Sequence, residues 1–346
     1  MPAEGTMQKK KIYIKLKFLS ILVVILASCQ RERAQDNQDS SLNLVIWTYD
    51  SFVSEWGPGP EVTRIFEEKT GINITWVSHR GAGSVVSRLL MEGENAGADI
   101  ILGIDQNLAF RLEGSPLIEP YRPRGAENIL SELILYPDFR LIPMDYSFFA
   151  IVYDSDAISN PPRSLEDLTQ ERFARSLILI DPRTSSPGLG FFGWVREIYG
   201  NDWQDFWVRL QPSILTITEG WSSAYGLFTR GEAPMVLSYT SSPGSHLEYE
   251  QTERFQAAVF PQGHSMQIQA AALLRNARNK ENARLFLDFM ITPDFQSIIP
   301  LTNWMYPVID IPLPDSFRIN PKSDRPIMNS PVTEAELNEW AALMMR

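Results

Sequence analysis

Few side chains in this sequence could do covalent or metal chemistry. There are three histidines, His79, His246 and His264, and one cysteine, Cys29. No two histidines lie one helical turn apart, the spacing that a zinc site on a helix needs. The chain has no Gly-x-Ser-x-Gly nucleophile turn and no Walker-type phosphate loop. Gly81-Ala82-Gly83 is glycine-rich, but it lacks the third glycine and the downstream partner of a dinucleotide site. Each histidine alone reads as a surface or hydrogen-bonded residue rather than a catalyst, so no enzyme, metal or cofactor is expected.

The chain instead places rings beside small hydroxyls in turn-rich stretches. These are Trp47, Tyr49, Phe52 and Trp56; Asp181 with Thr184, Ser185 and Ser186; Trp221, Ser222, Ser223 and Tyr225; Tyr239, Thr240, Ser241 and Ser242; and Trp304 with Tyr306. A ring in a strand or helix is normally core. A ring in a Gly/Ser/Thr-rich loop has less core to fill. The set suits a flat, cationic or conjugated ligand, each ring contributing roughly 0.5–2 kcal/mol by stacking and cation–π contact. Gly81 to Ser84 and Ser185 to Gly188 also open helices, where N–H groups and hydroxyls attract anions such as phosphate. Ser84 and Ser186 could equally be helix caps, and the two roles are compatible.

The elements that must hold these loops follow from hydrophobic periodicity. Leu44 to Trp47 reads as a buried strand, and Pro60 opens a helix that Gly71 ends. Ile72 to Val77 alternates as a strand, Gly81 to Ser84 starts a second helix, and Asp99 to Gly103 is a third strand. This order predicts an α/β layer with a mostly parallel sheet, whose ligands bind beyond the carboxyl ends of the strands. Ser147 to Tyr153 is a long apolar run suited to a strand crossing between lobes. Strands are expected at Leu177–Ile180, Met235–Ser238 and Gln267–Leu274, with helices from Gly188, over 280–290 and over 334–344.

Length and composition set the frame. With 346 residues, 44% of them hydrophobic, the chain can bury a large core in about two lobes, which excludes a disordered or fibrous protein. The net charge is -11, and no Lys/Arg run lies outside the extreme N-terminus, so no nucleic-acid partner is expected.

That N-terminus reads as a leader. Lys9, Lys10, Lys11, Lys15 and Lys17 precede an apolar stretch from Phe18 to Ala27, too short to span a bilayer comfortably. It ends in Leu26-Ala27-Ser28-Cys29, which resembles the lipobox of bacterial lipoproteins. Residues 1–28 are thus expected to be a signal peptide, Cys29 the lipidated residue, and 29–42 a polar tether to a membrane.

The loops carry a wider resemblance. TYDSFVSEWGPGP (Thr48–Pro60), RLLMEG (Arg88–Gly93), ADIILGID (Ala98–Asp105), DPRTSSPGLG (Asp181–Gly190), GWSSAYGLF (Gly220–Phe228), VLSYTSSP (Val236–Pro243) and NWMYPV (Asn303–Val308) resemble the thiamine-binding proteins of bacterial ABC importers. The resemblance implies a bilobal type II periplasmic-binding-protein fold, two α/β lobes closing about a hinge on thiamine or a thiamine phosphate. It places lobe 1 at 43–146 and 268–310, lobe 2 at 147–267, and a C-terminal segment, 311–346, packed on the lobes. The ligand contacts it implies are Tyr49, Gly81, Ala82, Ser185, Ser186, Trp221, Tyr239, Thr240, Ser241, Ser242 and Trp304. The family pattern has an acidic residue followed by glycine where this chain reads Gly81-Ala82, which leaves backbone contacts there. A monomer, an ABC permease with its ATPase, and an extracytoplasmic location complete the expectation.

Three alternatives use the same residues. Ferric iron would need clustered tyrosines, and Tyr239 has no adjacent tyrosine. A polyamine would need acids at both ends of an aromatic channel. A secreted thiamine-degrading hydrolase or transferase would need a nucleophile, and the one cysteine belongs to the lipobox.

Overall fold

The computed structural model describes residues 42–345; the leader, Cys29 and nearly all of the tether lie outside them. From Leu44 onward the described residues cluster as one compact unit. The chain enters as β1 (Asn43–Tyr49), α1 (Gly59–Thr70), β2 (Asn73–His79), α2 (Ala82–Glu92) and β3 (Ile100–Asp105). α1 stops at Gly71, whose φ of 71° lets its N–H reach the Glu67 carbonyl at 2.8 Å. Every residue of β3 is buried, as expected of a strand covered on both faces.

The short strand β4 (Ile118–Glu119) precedes β5 (Ile142–Asp154), thirteen residues long. Then come β6 (Leu177–Ile180), α3 (Ser186–Tyr199), α4 (Trp203–Leu210), β7 (Ile214–Thr218), α5 (Trp221–Thr229), β8 (Met235–Tyr239), α6 (Pro243–Glu250) and β9 (Phe255–Ala257). The chain returns through β10 (His264–Leu274) and α7 (Lys280–Met290), adds the short strands β11 (Tyr306–Pro307) and β12 (Pro326–Ile327), and ends in α8 (Glu334–Met344).

The sheet order is β2-β1-β3-β10-β5-β8-β6-β7. The parallel pairings expected from the sequence occur at β1–β3 and at β8–β6–β7. The centre differs: β3–β10, β10–β5 and β5–β8 are antiparallel. The reason is connectivity. β10 returns from far along the chain rather than through a strand–helix–strand crossover, so nothing forces it parallel.

β5 changes partner along its length. Residues from Ile142 to Phe148 pair with β10, and Phe149 to Tyr153 pair with β8. The run read as a crossing strand therefore bonds into both halves of the sheet.

α8 is anchored at its start by a capping box between Thr333 and Glu336. Arg196 of α3 donates to Glu336 Oε1 at 3.1 Å and to the Pro331 carbonyl at 2.7 Å. Among the described residues no helix is long and apolar enough to cross a membrane.

Candidate functional site

A pocket opens at the carboxyl ends of β1, β3 and β8 and at the amino ends of three helices. Nine of the eleven residues expected to bind ligand lie in its wall: Tyr49, Gly81, Ala82, Ser185, Ser186, Trp221, Tyr239, Ser242 and Trp304. Thr240 and Ser241 do not. Both are fully buried, and the Ser241 hydroxyl is tied to that of Ser147 at 2.7 Å. They follow the β8 terminus inward, while Tyr239 and Ser242 turn to the cavity.

Tyr49 closes β1. Its hydroxyl donates to Gln269 Oε1 at 2.9 Å and accepts from Asn303 Nδ2 at 3.1 Å. Burial, reinforced by Asp145, holds the phenol well above its usual range, so it stays neutral. Tyr239 stacks on Phe149 with ring centres 5.4 Å apart. Trp221 begins α5, stacks on Tyr225 at 4.7 Å, and donates from Nε1 to Ser238 Oγ at 2.8 Å. Its ring centre lies 6.2 Å from that of Trp56, which is 52% exposed and so offers a face to the cavity. Trp304 adopts the left-handed region at φ 55° and packs against Tyr249 and Phe317. The stretch from Trp221 to Tyr225, expected as a loop, lies in the helix α5. Phe52, grouped with these rings by sequence, is fully buried core.

The pocket wall also carries backbone dipoles. Gly81, Ser185 and Gly220 stand at the N-caps of α2, α3 and α5, all in extended conformation. None of the three caps is closed by a side chain, and Ser186 Oγ is buried with no hydrogen-bond partner. Helix N-termini with a spare hydroxyl favour an anionic group. A Cβ on Gly81 or Gly83 would stand 3.1 Å from the Thr184 carbonyl, so small residues let the two loops meet.

The mouth is bridged from both sides. Arg80 pairs with Glu219, Thr184 Oγ1 donates to the Glu219 carbonyl at 2.7 Å, and Tyr249 donates to the Leu301 carbonyl at 3.0 Å.

Sequence reasoning missed the floor. Gln267, Gln269 and Asn303 line it, with Asp50, Ser51 and Arg80 at the side. Behind the floor, Asn303 Nδ2 donates to Asp145 Oδ2 at 2.7 Å, and Gln267 Nε2 donates to Asp105 Oδ2 at 2.9 Å. Burial pushes the Asp145 carboxyl up to about 8 and that of Asp105 to about 6. Two glutamines on one face of a strand whose eleven residues are all buried were the available signal, since buried amides need partners.

The three histidines lie outside this wall. His246 bonds to Tyr225 and Glu250, His264 accepts from the Phe260 N–H and bonds the Phe149 carbonyl, and His79 stands against Trp47. Among the described residues no three His, Cys, Asp or Glu side chains gather as a metal site would need.

Residues 49–297 match the model of the bacterial extracellular solute-binding proteins. The chain belongs to that family. This solute-binding protein is 42% identical over 311 residues to the thiamine-binding periplasmic protein of Brucella abortus, covering 88% of this chain and 92% of the relative. It is 38% identical to the protein of that name from Escherichia coli K12, with 88% and 94% covered. A solved periplasmic thiamin binding protein superposes with a TM-score of 0.81 at 37% identity, covering 88% of this chain and 95% of that one. Iron-bound HitA from Pseudomonas aeruginosa superposes at 0.70 with 19% identity, a likeness of fold alone. The solute-binding protein thus has the type II periplasmic-binding fold, and its relatives are binding proteins rather than enzymes.

Proposed function

We propose that this chain captures thiamine, or thiamine mono- or pyrophosphate, outside the cytoplasm and hands it to the permease of an ABC importer. The observation that carries the reading is the make-up of the pocket wall. Trp56, Trp221, Tyr49, Tyr239 and Trp304 line it together with Ser185 and Ser186 and the uncapped N-termini of α2, α3 and α5. Thiamine has parts that match both: a flat cationic ring system and an alcohol end that carries phosphate. The family relatives named for thiamine support the same ligand.

Capture needs no covalent step and no cofactor. Closure of two lobes, 43–146 with 268–310 against 147–267, would order the bound form. The change of partner within β5 at Phe148–Phe149 supports a boundary there. Residues 311–346 would brace the lobes from outside. The lipobox ending at Cys29 supports a lipid anchor after loss of residues 1–28, with the protein working as a monomer at a membrane that also holds the permease and its ATPase.

Calorimetric titration of the purified chain with thiamine, its monophosphate and its pyrophosphate tests the reading. Saturable binding of one molecule with unchanged thiamine recovered is expected. No binding, or release of separate pyrimidine and thiazole products, would reject it.

A further inference from the structure

Behind the pocket stand two carboxylates, Asp145 and Asp105, that form no ion pair with a Lys, Arg or His among the described residues. Asp145 of β5 faces Gln269 of β10, and Gln269 faces Asp105 of β3. Facing positions on neighbouring strands share one side of the sheet, so an acid–amide–acid row runs under the cavity. Asp145 is fully buried; Oδ2 takes one hydrogen bond, from Asn303, and Oδ1 has no partner. Asn303 also donates to the Tyr49 hydroxyl, which donates to Gln269. All three of those residues line the pocket, so Asp145 is one side chain removed from a ligand.

The titratable groups that face Asp145 are Tyr49 from β1, Tyr239 from β8 and, farther along the row, Asp105 from β3. None is cationic. Among the described residues no Lys, Arg or His forms an ion pair with Asp145, and Arg80 of the pocket wall is paired with Glu219 at the mouth. An isolated buried carboxylate is costly, and such a group holds its proton instead. Burial raising this carboxyl to about 8 agrees.

We propose that Asp145 is the counter-charge of the pocket: a cationic ligand ionises its carboxyl across the Asn303–Tyr49 link, so that capture releases a proton. The O–H bond of the acid breaks, its electron pair stays on the carboxylate, and the proton passes to the buffer. Nothing is oxidised or reduced. The proposal rests on thiamine as ligand, because its thiazolium nitrogen is positive without being protonated.

Calorimetry of thiamine binding in phosphate and in Tris at pH 7 measures the exchange, since the two buffers take up protons with different heats. Release of about half to one proton per thiamine is expected, with affinity rising between pH 6 and 8. The neutral aminopyrimidine half of thiamine should bind without release. In Asp145→Asn the buffer difference should vanish and affinity at pH 8 should fall about tenfold, for the loss of one charge contact. Tight thiamine binding with no buffer difference, with proton uptake, or with release preserved in Asp145→Asn would overturn the proposal while leaving thiamine as ligand. If that variant does not fold, the wild-type pH series decides alone, and a flat affinity overturns the proposal. No thiamine binding at all overturns both readings.

Discussion

The ring of Tyr49 fills the space that a side chain at Gly103 would occupy: a Cβ there would stand 2.3 Å from Tyr49 Cε1. Gly103 also sits at φ 90°, where an L-residue is strained. The two conditions together fix Tyr49 over the end of β3. Gly103→Ala should destabilise the protein by about 2–4 kcal/mol through strain and overpacking. It should also weaken thiamine binding by displacing Tyr49. Urea denaturation gives the first quantity and calorimetry the second; an unaltered midpoint would contradict the packing described.

Trp221 is only partly buried, and its indole N–H bonds Ser238. Truncation to alanine leaves a hydroxyl that already has another partner in Ser242. Trp221→Ala should therefore keep the fold and lose about 10- to 100-fold in thiamine affinity, the range for an aromatic anchor. Circular dichroism checks the first part. Undiminished affinity in a folded variant would remove Trp221 from the site.

Ser186 has an unpartnered hydroxyl at the start of α3. If it serves a phosphate, Ser186→Ala should cost about 1.5–3 kcal/mol for the phosphorylated ligands, as for a hydrogen bond to a charged group. Thiamine itself should change little. Equal losses for thiamine and its monophosphate would place the phosphate elsewhere.

Acid stability should run opposite to the common trend near neutrality. Asp105 and Asp145 have folded values raised by burial to about 6 and about 8. A raised acid stabilises the fold when protonated; that contribution is complete below about pH 4 and is lost as pH rises through the folded values. Glu119 and Asp154 are held low by hydrogen bonds from Lys280 and Arg254, and their smaller contributions are lost below about pH 4. His79, His246 and His264 are held low by burial and add stability as pH rises to about 6.5, so the ligand-free protein should melt lower at pH 8 than at pH 6.5. Asp145→Asn should flatten the decline. A melting temperature that climbs from pH 6.5 to 8 would contradict this.

The sequence was most legible where local chemistry decides structure. Gly71 ended α1 because only an αL residue suits that turn, and the apolar runs of β1, β3, β6 and β8 could not be anything but buried. It was least legible where tertiary contacts override composition. The Gly, Ser and Tyr of α5 look like a loop, yet helix formation there is stabilised by packing Ala224 and Phe228 inward. Thr240 and Ser241 carry the same hydroxyls as Ser242 but turn into the protein, a matter of backbone direction that spacing does not reveal. Asp145 and Asn303 are far apart in sequence and meet only when the sheet closes. Cavity-facing aromatics could be suspected from their glycine- and serine-rich surroundings, while the polar floor lay hidden inside strands.

The place of β10 has a consequence for the order of events in the chain's life. It lies between β3 and β5, yet it is made well after both. Until residues 264–274 leave the ribosome, the two strands lack the partner that joins them, and loop closure over such separations is slow. Synthesis therefore runs most of its course before the central ladder can form. A polypeptide delayed in this way keeps its central ladder open until most of its length has been made.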